Sequence, residues 1–430
     1  MIYSVQSGGP LRGTVQCPGD KSISHRYAML AALARGKSEL RQFAGSEDCR
    51  NTLRCLGALG VEIRTQGTSV FISGNGIRGL KPPAAPLDAG NSGTTIRLLS
   101  GILAGQPFAS VLTGDESLSQ RPMGRIIQPL SLMGAQIGSR EGGLPPLSIR
   151  GGNLHAIRYS LPVASAQVKS CVLLAGLFAD GPTAVEERVA TRDHTEIALR
   201  QFGGTVRERE SWIEVEPGPT LEGLRLDVPG DLSGAAFFIV AAALVPGSEL
   251  MLPQVGLNPR RRTLIDYLDG AGVKVSVQNR SERAGEARGD LHVRYDPASL
   301  GKQMPPIRAE LAAALIDEIP VLAVLGSQTG GLEIHDAGEL RVKESDRIAA
   351  VTANLRAMGA DVEEHPDGLA IAGRQRLRGT EVDSRGDHRI AMAFAVAGLA
   401  ASGDTRIHKA ECAAVSFPGF YEALARIRSG

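Results

Sequence analysis

Apolar positions recur at helical spacing after the polar stretch Pro18-Gly19-Asp20-Lys21-Ser22. Ile23, Tyr27, Leu30, Ala31 and Ala34 mark one face, which predicts an amphipathic helix ended by Gly36. Asp20 or Ser22 supplies its cap, so Lys21 falls at the helix N-terminus, where free N–H groups and the positive end of the dipole favour an anion. Arg26 follows Ser22 by four residues, so hydroxyl and guanidinium share a face and are expected to hold one phosphate or carboxylate together. A capped surface helix with solvated cations has the same pattern, and the choice falls to the rest of the chain.

One pattern of helix end returns along the whole sequence: Leu, two variable residues, a small or apolar residue, Gly, a small residue, then a strand-like run. It starts at Leu56, Leu130, Leu199, Leu268 and Leu355, at intervals of 74, 69, 69 and 87 residues, and one further step of 69 reaches Leu424. Gly takes the left-handed position after each helix and the next residues open a strand. A second marker, a helix end followed by Gly and a strand, is read at Gly36, Gly105, Gly181, Gly247, Gly326 and Gly403. Six units of about 70 residues, each with two helices and several short strands, predict an α/β or α+β fold built by repetition. Val228-Pro229-Gly230-Asp231 follows three repeats and echoes Cys17-Pro18-Gly19-Asp20, which suggests a chain that leaves one half, builds the other and returns. Pro82–Pro86 and the Gly142-Gly143-Leu144-Pro145-Pro146 run are read as connections within repeats.

The first helix of several repeats opens on a polar turn. Asn91-Ser92-Gly93-Thr94 leads to Arg97, Ser165-Ala166-Gln167 to Lys169, Gly230-Asp231-Leu232-Ser233 to an apolar helix, and Ser384-Arg385-Gly386-Asp387-His388 to Arg389. Equivalent helix ends in related units tend to face a common place, which gives the set more weight than any one member. Lys343 and Arg347 stand four apart with Glu344 between them, and Asp317-Glu318 interrupts an apolar run, where acids are costly unless paired or at work. Gly74-Asn75-Gly76-Ile77-Arg78-Gly79 spells a dinucleotide fingerprint, but Leu80-Lys81-Pro82-Pro83 follows where that fold needs a helix.

Composition narrows the classes. With 43% hydrophobic and 22% charged residues over 430 positions, the chain reads as globular and long enough for two domains. Its 47 basic and 46 acidic residues leave a formal charge of +1, so anion binding must be local and no global field recruits nucleic acid. The longest apolar run, Ala235 to Val245, is short of a membrane span and reads as a buried helix. Five dispersed cysteines form no Cys-x-x-Cys pair and no secretory signal precedes the first strand, which suits a cytoplasmic protein without a zinc site.

Pro18–Ser22, Gly90–Thr94, Thr113-Gly114-Asp115 through Gln120-Arg121-Pro122-Met123, Arg341–Arg347 and Gly386–Met392 together resemble the 5-enolpyruvylshikimate-3-phosphate synthase family, in order and over the full length. The resemblance implies an inside-out α/β barrel fold of two similar domains, each of three βαβαββ units. The expected domains are 1–19 plus 230–430, and 20–229, with the active site in the cleft between them. It implies transfer of the enolpyruvyl group of phosphoenolpyruvate to the 5-hydroxyl of shikimate 3-phosphate, with release of phosphate and no metal or organic cofactor. Its partners are then the two small-molecule substrates, neither nucleic acid nor membrane, and the protein is expected to be a monomer.

By matching motifs, Lys21, Ser22, Arg26, Ser165, Ala166, Gln167, Arg192, Asp317 and Lys343 would hold shikimate 3-phosphate. Lys21, Gly93, Arg125, Gln167, Arg347, Arg389 and Lys409 would hold phosphoenolpyruvate. Asp317 is the implied base, Glu344 the acid, and Lys21 assists. Ser165-Ala166-Gln167-Val168-Lys169 and Arg192-Asp193-His194-Thr195-Glu196 resemble the inhibitor-tolerant class II subgroup, whereas Arg260 departs from it and Gly93 lacks the methyl that tolerant members can carry against glyphosate. The sister transferase acting on UDP-N-acetylglucosamine would carry Lys-Asn in place of Lys21-Ser22 and a cysteine between Asp115 and Met123, and this chain has neither.

Overall fold

A computed structural model describes residues 1–428. The chain divides into two compact units: Met1–Pro18, Pro229–Glu282 and Glu286–Gly430 form one, and Gly19–Val228 with Arg283–Gly285 the other. Each has its own apolar core.

The repeat appears as one strand order used again and again. In the second repeat, Leu87–Asp88 lies parallel to Ala109–Thr113, which pairs antiparallel with Leu144–Arg150, and Gln136–Arg140 closes the edge. The third repeat follows the same order with Arg158–Ser160, Thr183–Glu186, Trp212–Val215 and Val206–Arg209. The first repeat takes its leading strand from the far end of its unit, Arg225–Asp227 beside Arg35–Arg41. In the other unit the N-terminal segment supplies two missing strands. Arg12–Thr14 lies parallel to Glu249–Gly256, and Ile2–Val5 pairs antiparallel with Thr405–His408. The sheets are open, with no closed barrel among the described residues.

Helices form the inside of each unit. Lys21–Leu33 is buried at every position from Ile23 to Leu33, so it is a central helix and not the amphipathic one that the spacing predicts. Leu232–Leu244 is likewise buried at all but one position, as its apolar run demands. Strands show the complementary pattern: Leu144–Arg150 alternates buried and exposed residues from Pro145 onward, with one face of the sheet on the helices.

Five glycines of the recurrent helix end, Gly60, Gly134, Gly203, Gly272 and Gly359, all have φ between 85° and 98°, a left-handed conformation that a side chain would strain. Leu424 lies buried in the last helix, Phe420–Arg428. The second marker is less uniform than expected. Gly36 lies inside the strand Arg35–Arg41, because the helix before it already stops at Leu33, and Gly326 lies inside the helix Ile319–Gln328. Pro145 and Pro146 belong to a strand and not to a loop. They sit beyond the last pairing with Ala109–Thr113 and beside a register shift on the other edge, so no ladder hydrogen bond is lost to them. No helix follows Gly74–Gly79 before the strand at Leu87. Among the described residues no helix is long and apolar enough to cross a membrane.

Candidate functional site

In the unit that contains Gly19–Val228, three buried helices begin with capped polar turns. Asp20 caps Lys21–Leu33 by accepting from Ile23 N at 2.9 Å, Ser92 caps Gly93–Ala104, and Ser165 caps Ala166–Gly176. Side chains tie the three starts together. Lys21 Nζ donates to Asp48 Oδ2 at 2.8 Å, so the ammonium is held by a carboxylate from the neighbouring helix Glu47–Ala58. Arg97 Nη1 donates to Gln167 Oε1 at 2.8 Å, and Gln167 Nε2 donates to Thr94 Oγ1 at 2.9 Å, which fixes the amide orientation of Gln167.

Arg26 is buried one turn inside the helix Lys21–Leu33. Its guanidinium donates to the Ser22 carbonyl, to Thr195 Oγ1 at 2.6 Å and to Ser170 Oγ at 2.8 Å, so it braces the third helix start from below. Lys169 is fully buried between Glu187 and Glu196, and Thr191 donates to Glu187. These contacts anchor the segment that carries the half-buried Arg192.

The Gly93 turn is walled by two arginines. A Cβ at Gly93 would stand 2.8 Å from Arg97 Nη1 and 3.5 Å from Arg121 Nη1. Arg121 is itself held by Asn91 and Ser117. Arg125 is exposed at the start of Gly124–Leu132, so the cation that the structure brings to Gly93 is Arg121 and not Arg125. The sequence offered a signal for this, since Arg121 precedes Pro122 in a tight turn while Arg125 is already one position into a helix whose buried residues are Ile126, Pro129 and Leu130.

In the other unit the corresponding helices are Leu232–Leu244, Ile319–Gln328 and His388–Ala400, the first capped by Asp231 and the last by Asp387. Asp317, just before the second helix, gathers three cations: Lys343 Nζ at 3.9 Å, Arg347 Nη1 at 3.5 Å and Arg389 Nε at 3.8 Å. Lys343 and Arg347 reach it from two separate elements. Asp346 caps a new helix at Arg347, and Lys343 lies in the turn before it, so the i, i+4 reasoning fails although both side chains converge.

Arg347 is almost wholly buried. It bonds Asp387 Oδ2 at 2.8 Å and Glu344 Oε2 at 2.5 Å. Burial works against its charge, but Asp387, Glu344 and Asp317 outweigh burial and raise its pKa above the usual arginine value. Glu318 accepts from Ser233, and Arg389 Nη1 donates to Ser233 Oγ at 2.9 Å and to the Asp317 carbonyl at 2.8 Å. Asp48, beside the helix start at Lys21, is the residue that the sequence pattern does not single out, whereas Arg97 and Glu318 stand in stretches that it does. Lys409 is exposed and lines a hollow with Met1, Ile2, Asp383 and His408, and its carbonyl accepts from Ser384 Oγ at 3.2 Å, in the turn that leads to Asp387. Among the described residues no group of three or more His, Cys, Asp or Glu is arranged to hold a metal ion.

Chemically, each unit presents helix N-termini, hydroxyls and fixed cations to an anion, and the second adds carboxylates within reach of those cations. The profile of a known family, EPSP synthase (3-phosphoshikimate 1-carboxyvinyltransferase), matches residues 5–424. A 3-phosphoshikimate 1-carboxyvinyltransferase from Solibacter usitatus (strain Ellin6076) is 54% identical over 428 residues, covering 99% of this chain and 100% of that one. The EPSP synthase structure from Acinetobacter baumannii superposes with a TM-score of 0.87 at 43% identity, covering 99% and 98% of the two chains. The enolpyruvyl transferase NikO from Streptomyces tendae shares the fold at a TM-score of 0.79 and 17% identity, covering 99% and 97%.

Proposed function

The chain belongs to the EPSP synthase family, and we propose that it transfers the enolpyruvyl group of phosphoenolpyruvate to the 5-hydroxyl of shikimate 3-phosphate, releasing phosphate in the pathway to chorismate. The observation that carries the chemistry is the Asp317 carboxylate with three cations within 4 Å. Both substrates are phosphorylated carboxylates, and a protein of formal charge +1 needs its cations concentrated to hold them.

Addition places a proton on the methylene carbon of phosphoenolpyruvate and the 5-oxygen on its C2. Elimination then expels phosphate from C2 and takes a proton back from the new methyl, which restores the vinyl group. Asp317 accepts the hydroxyl proton, Glu344 delivers the proton to carbon, and Lys21 stabilises charge at the reacting phosphate. Arg347 bonded to Glu344 and Asp387 supports a fixed direction for the acid.

Lys21, Ser22, Arg26, Ser165, Ala166, Gln167, Arg192, Asp317 and Lys343 serve shikimate 3-phosphate; Lys21, Gly93, Gln167, Arg347, Arg389 and Lys409 serve phosphoenolpyruvate, with Arg121 in place of Arg125. The protein works as a monomer in the cytoplasm. The test is phosphate release with each substrate alone and with both together. Release only with both supports this reading, and release from phosphoenolpyruvate alone contradicts it.

A further inference from the structure

One buried polar row in the Gly19–Val228 unit has no part in the chemistry above. His25, one turn after Lys21, is wholly buried, and its Nδ1 lies 2.7 Å from Thr52 Oγ1. Thr52 Oγ1 lies 2.7 Å from Thr95 Oγ1, which lies 2.7 Å from Ser92 Oγ. Thr52, Thr95 and Ser92 are each 0% exposed. Ser92 is the cap of Gly93–Ala104 and accepts from Thr95 N at 3.1 Å. The row thus crosses three helices. It starts on the one that opens with Lys21, passes through Glu47–Ala58, which holds Lys21 through Asp48, and ends at the turn that opens with Gly93.

Each hydroxyl has one hydrogen, and Thr95 Oγ1 also lies 3.5 Å from the Asp48 carbonyl, a longer contact than the one to Ser92, so it is the His25–Thr52–Thr95 part of the row that runs in a single direction. If Thr95 donates to Ser92, Thr52 donates to Thr95 and His25 Nδ1–H donates to Thr52, leaving Nε2 as a bare lone pair. The opposite direction would put an N–H on Nε2, which is buried with no hydrogen-bond partner. Buried orphan N–H groups are rarer than under-used acceptors, which selects the first direction. Burial, with the charges of Lys21 and Arg26, holds the imidazole pKa well below its ordinary value, so the ring stays neutral and keeps one hydrogen.

We propose that His25 and Thr52 are positioning residues: the row His25–Thr52–Thr95–Ser92 sets the distance between the helix starts at Lys21 and Gly93, and with it the fit of phosphoenolpyruvate. The ligand named here rests on the proposed function; the row itself does not.

The test uses the full chain and the near-isosteric Thr52→Val, which removes the hydroxyl that joins both ends. Loss of these bonds raises KM for phosphoenolpyruvate roughly 10-fold, while kcat and KM for shikimate 3-phosphate change less than about threefold. Thr52→Ser returns KM to near the parent value, which a loss of general packing would not allow. Nitrogen NMR of the histidine-labelled parent shows His25 protonated at Nδ1 and bare at Nε2. KM for phosphoenolpyruvate unchanged in Thr52→Val overturns the positioning role. A parent His25 protonated at Nε2 overturns the row's direction, whether or not the variant folds. The NMR readout needs no substrate, so failure of the row is separable from failure of the assigned reaction.

Discussion

Lys169 Nζ stands 2.7 Å from Glu196 Oε1, and both side chains are wholly buried. Glu187 approaches the same ammonium at 3.0 Å, so one buried cation serves two carboxylates. Burial raises the Glu196 pKa against the pull of Lys169.

Removing the cation is therefore worse than removing one acid. Lys169→Met is expected to cost about 3–5 kcal/mol in urea unfolding, because it takes the shared cation away from two buried carboxylates, while Glu196→Gln costs far less. The pH dependence has a definite sign. Folded Glu196 binds its proton more tightly than the unfolded chain does, so stability is lost as pH rises from about 4.3 through the folded pKa. The parent Tm measured relative to Glu196→Gln falls over that interval. A constant difference would show that Glu196 does not titrate as described.

Arg347→Lys keeps the charge but gives up the planar fork that bonds Asp387 and Glu344. Turnover is expected to fall roughly 100-fold from the lost orientation of Glu344, with kcat affected more than KM for shikimate 3-phosphate. A variant within threefold of the parent would mean that charge alone suffices there.

At Gly93 the structure changes the expected mechanism of inhibitor discrimination. An added methyl would stand 2.8 Å from Arg97 Nη1, and Arg97 is bonded to Gln167. Gly93→Ala thus displaces the far end of Arg97 and loosens Gln167. KM for phosphoenolpyruvate is expected to rise severalfold and the inhibition constant for glyphosate to rise further, on the scale of about 1–3 kcal/mol for overpacking. An unchanged ratio of the two constants would place Gly93 away from the inhibitor.

The two arginines after Ser119 separate cleanly by mutation. Arg121→Ala is expected to raise KM for phosphoenolpyruvate at least tenfold, since charge-assisted bonds are worth roughly 1.5–3 kcal/mol, and Arg125→Ala to leave it within about threefold. The reverse order would restore Arg125 to the site.

Much of the architecture is legible in local chemistry, because a helix that ends on left-handed Gly leaves the same mark five times, and Asp20, Ser92, Ser165, Asp231 and Asp387 announce helix starts by their own side chains. What local pattern does not carry is burial on every side, which turns the Lys21 helix into a central one, and contact at a distance. Asp48 meets Lys21 from 27 positions away and Gln167 meets Arg97 from 70. Lys343 and Arg347 show the opposite error: they converge on Asp317, but through a helix cap at Asp346 and not through the helical spacing that suggested it.

Group transfer between two phosphorylated acids fixes the stoichiometry of its products. Phosphoenolpyruvate labelled with carbon-13 at C2 is incubated with shikimate 3-phosphate and the protein, and NMR follows the label while phosphate is assayed in the same sample. The prediction is one enolpyruvyl ether for each phosphate released, with Asp317→Ala folded and at least 1000-fold slower, on the order of the loss of a general base. Phosphate without the ether, or ether formation undiminished in Asp317→Ala, would contradict it.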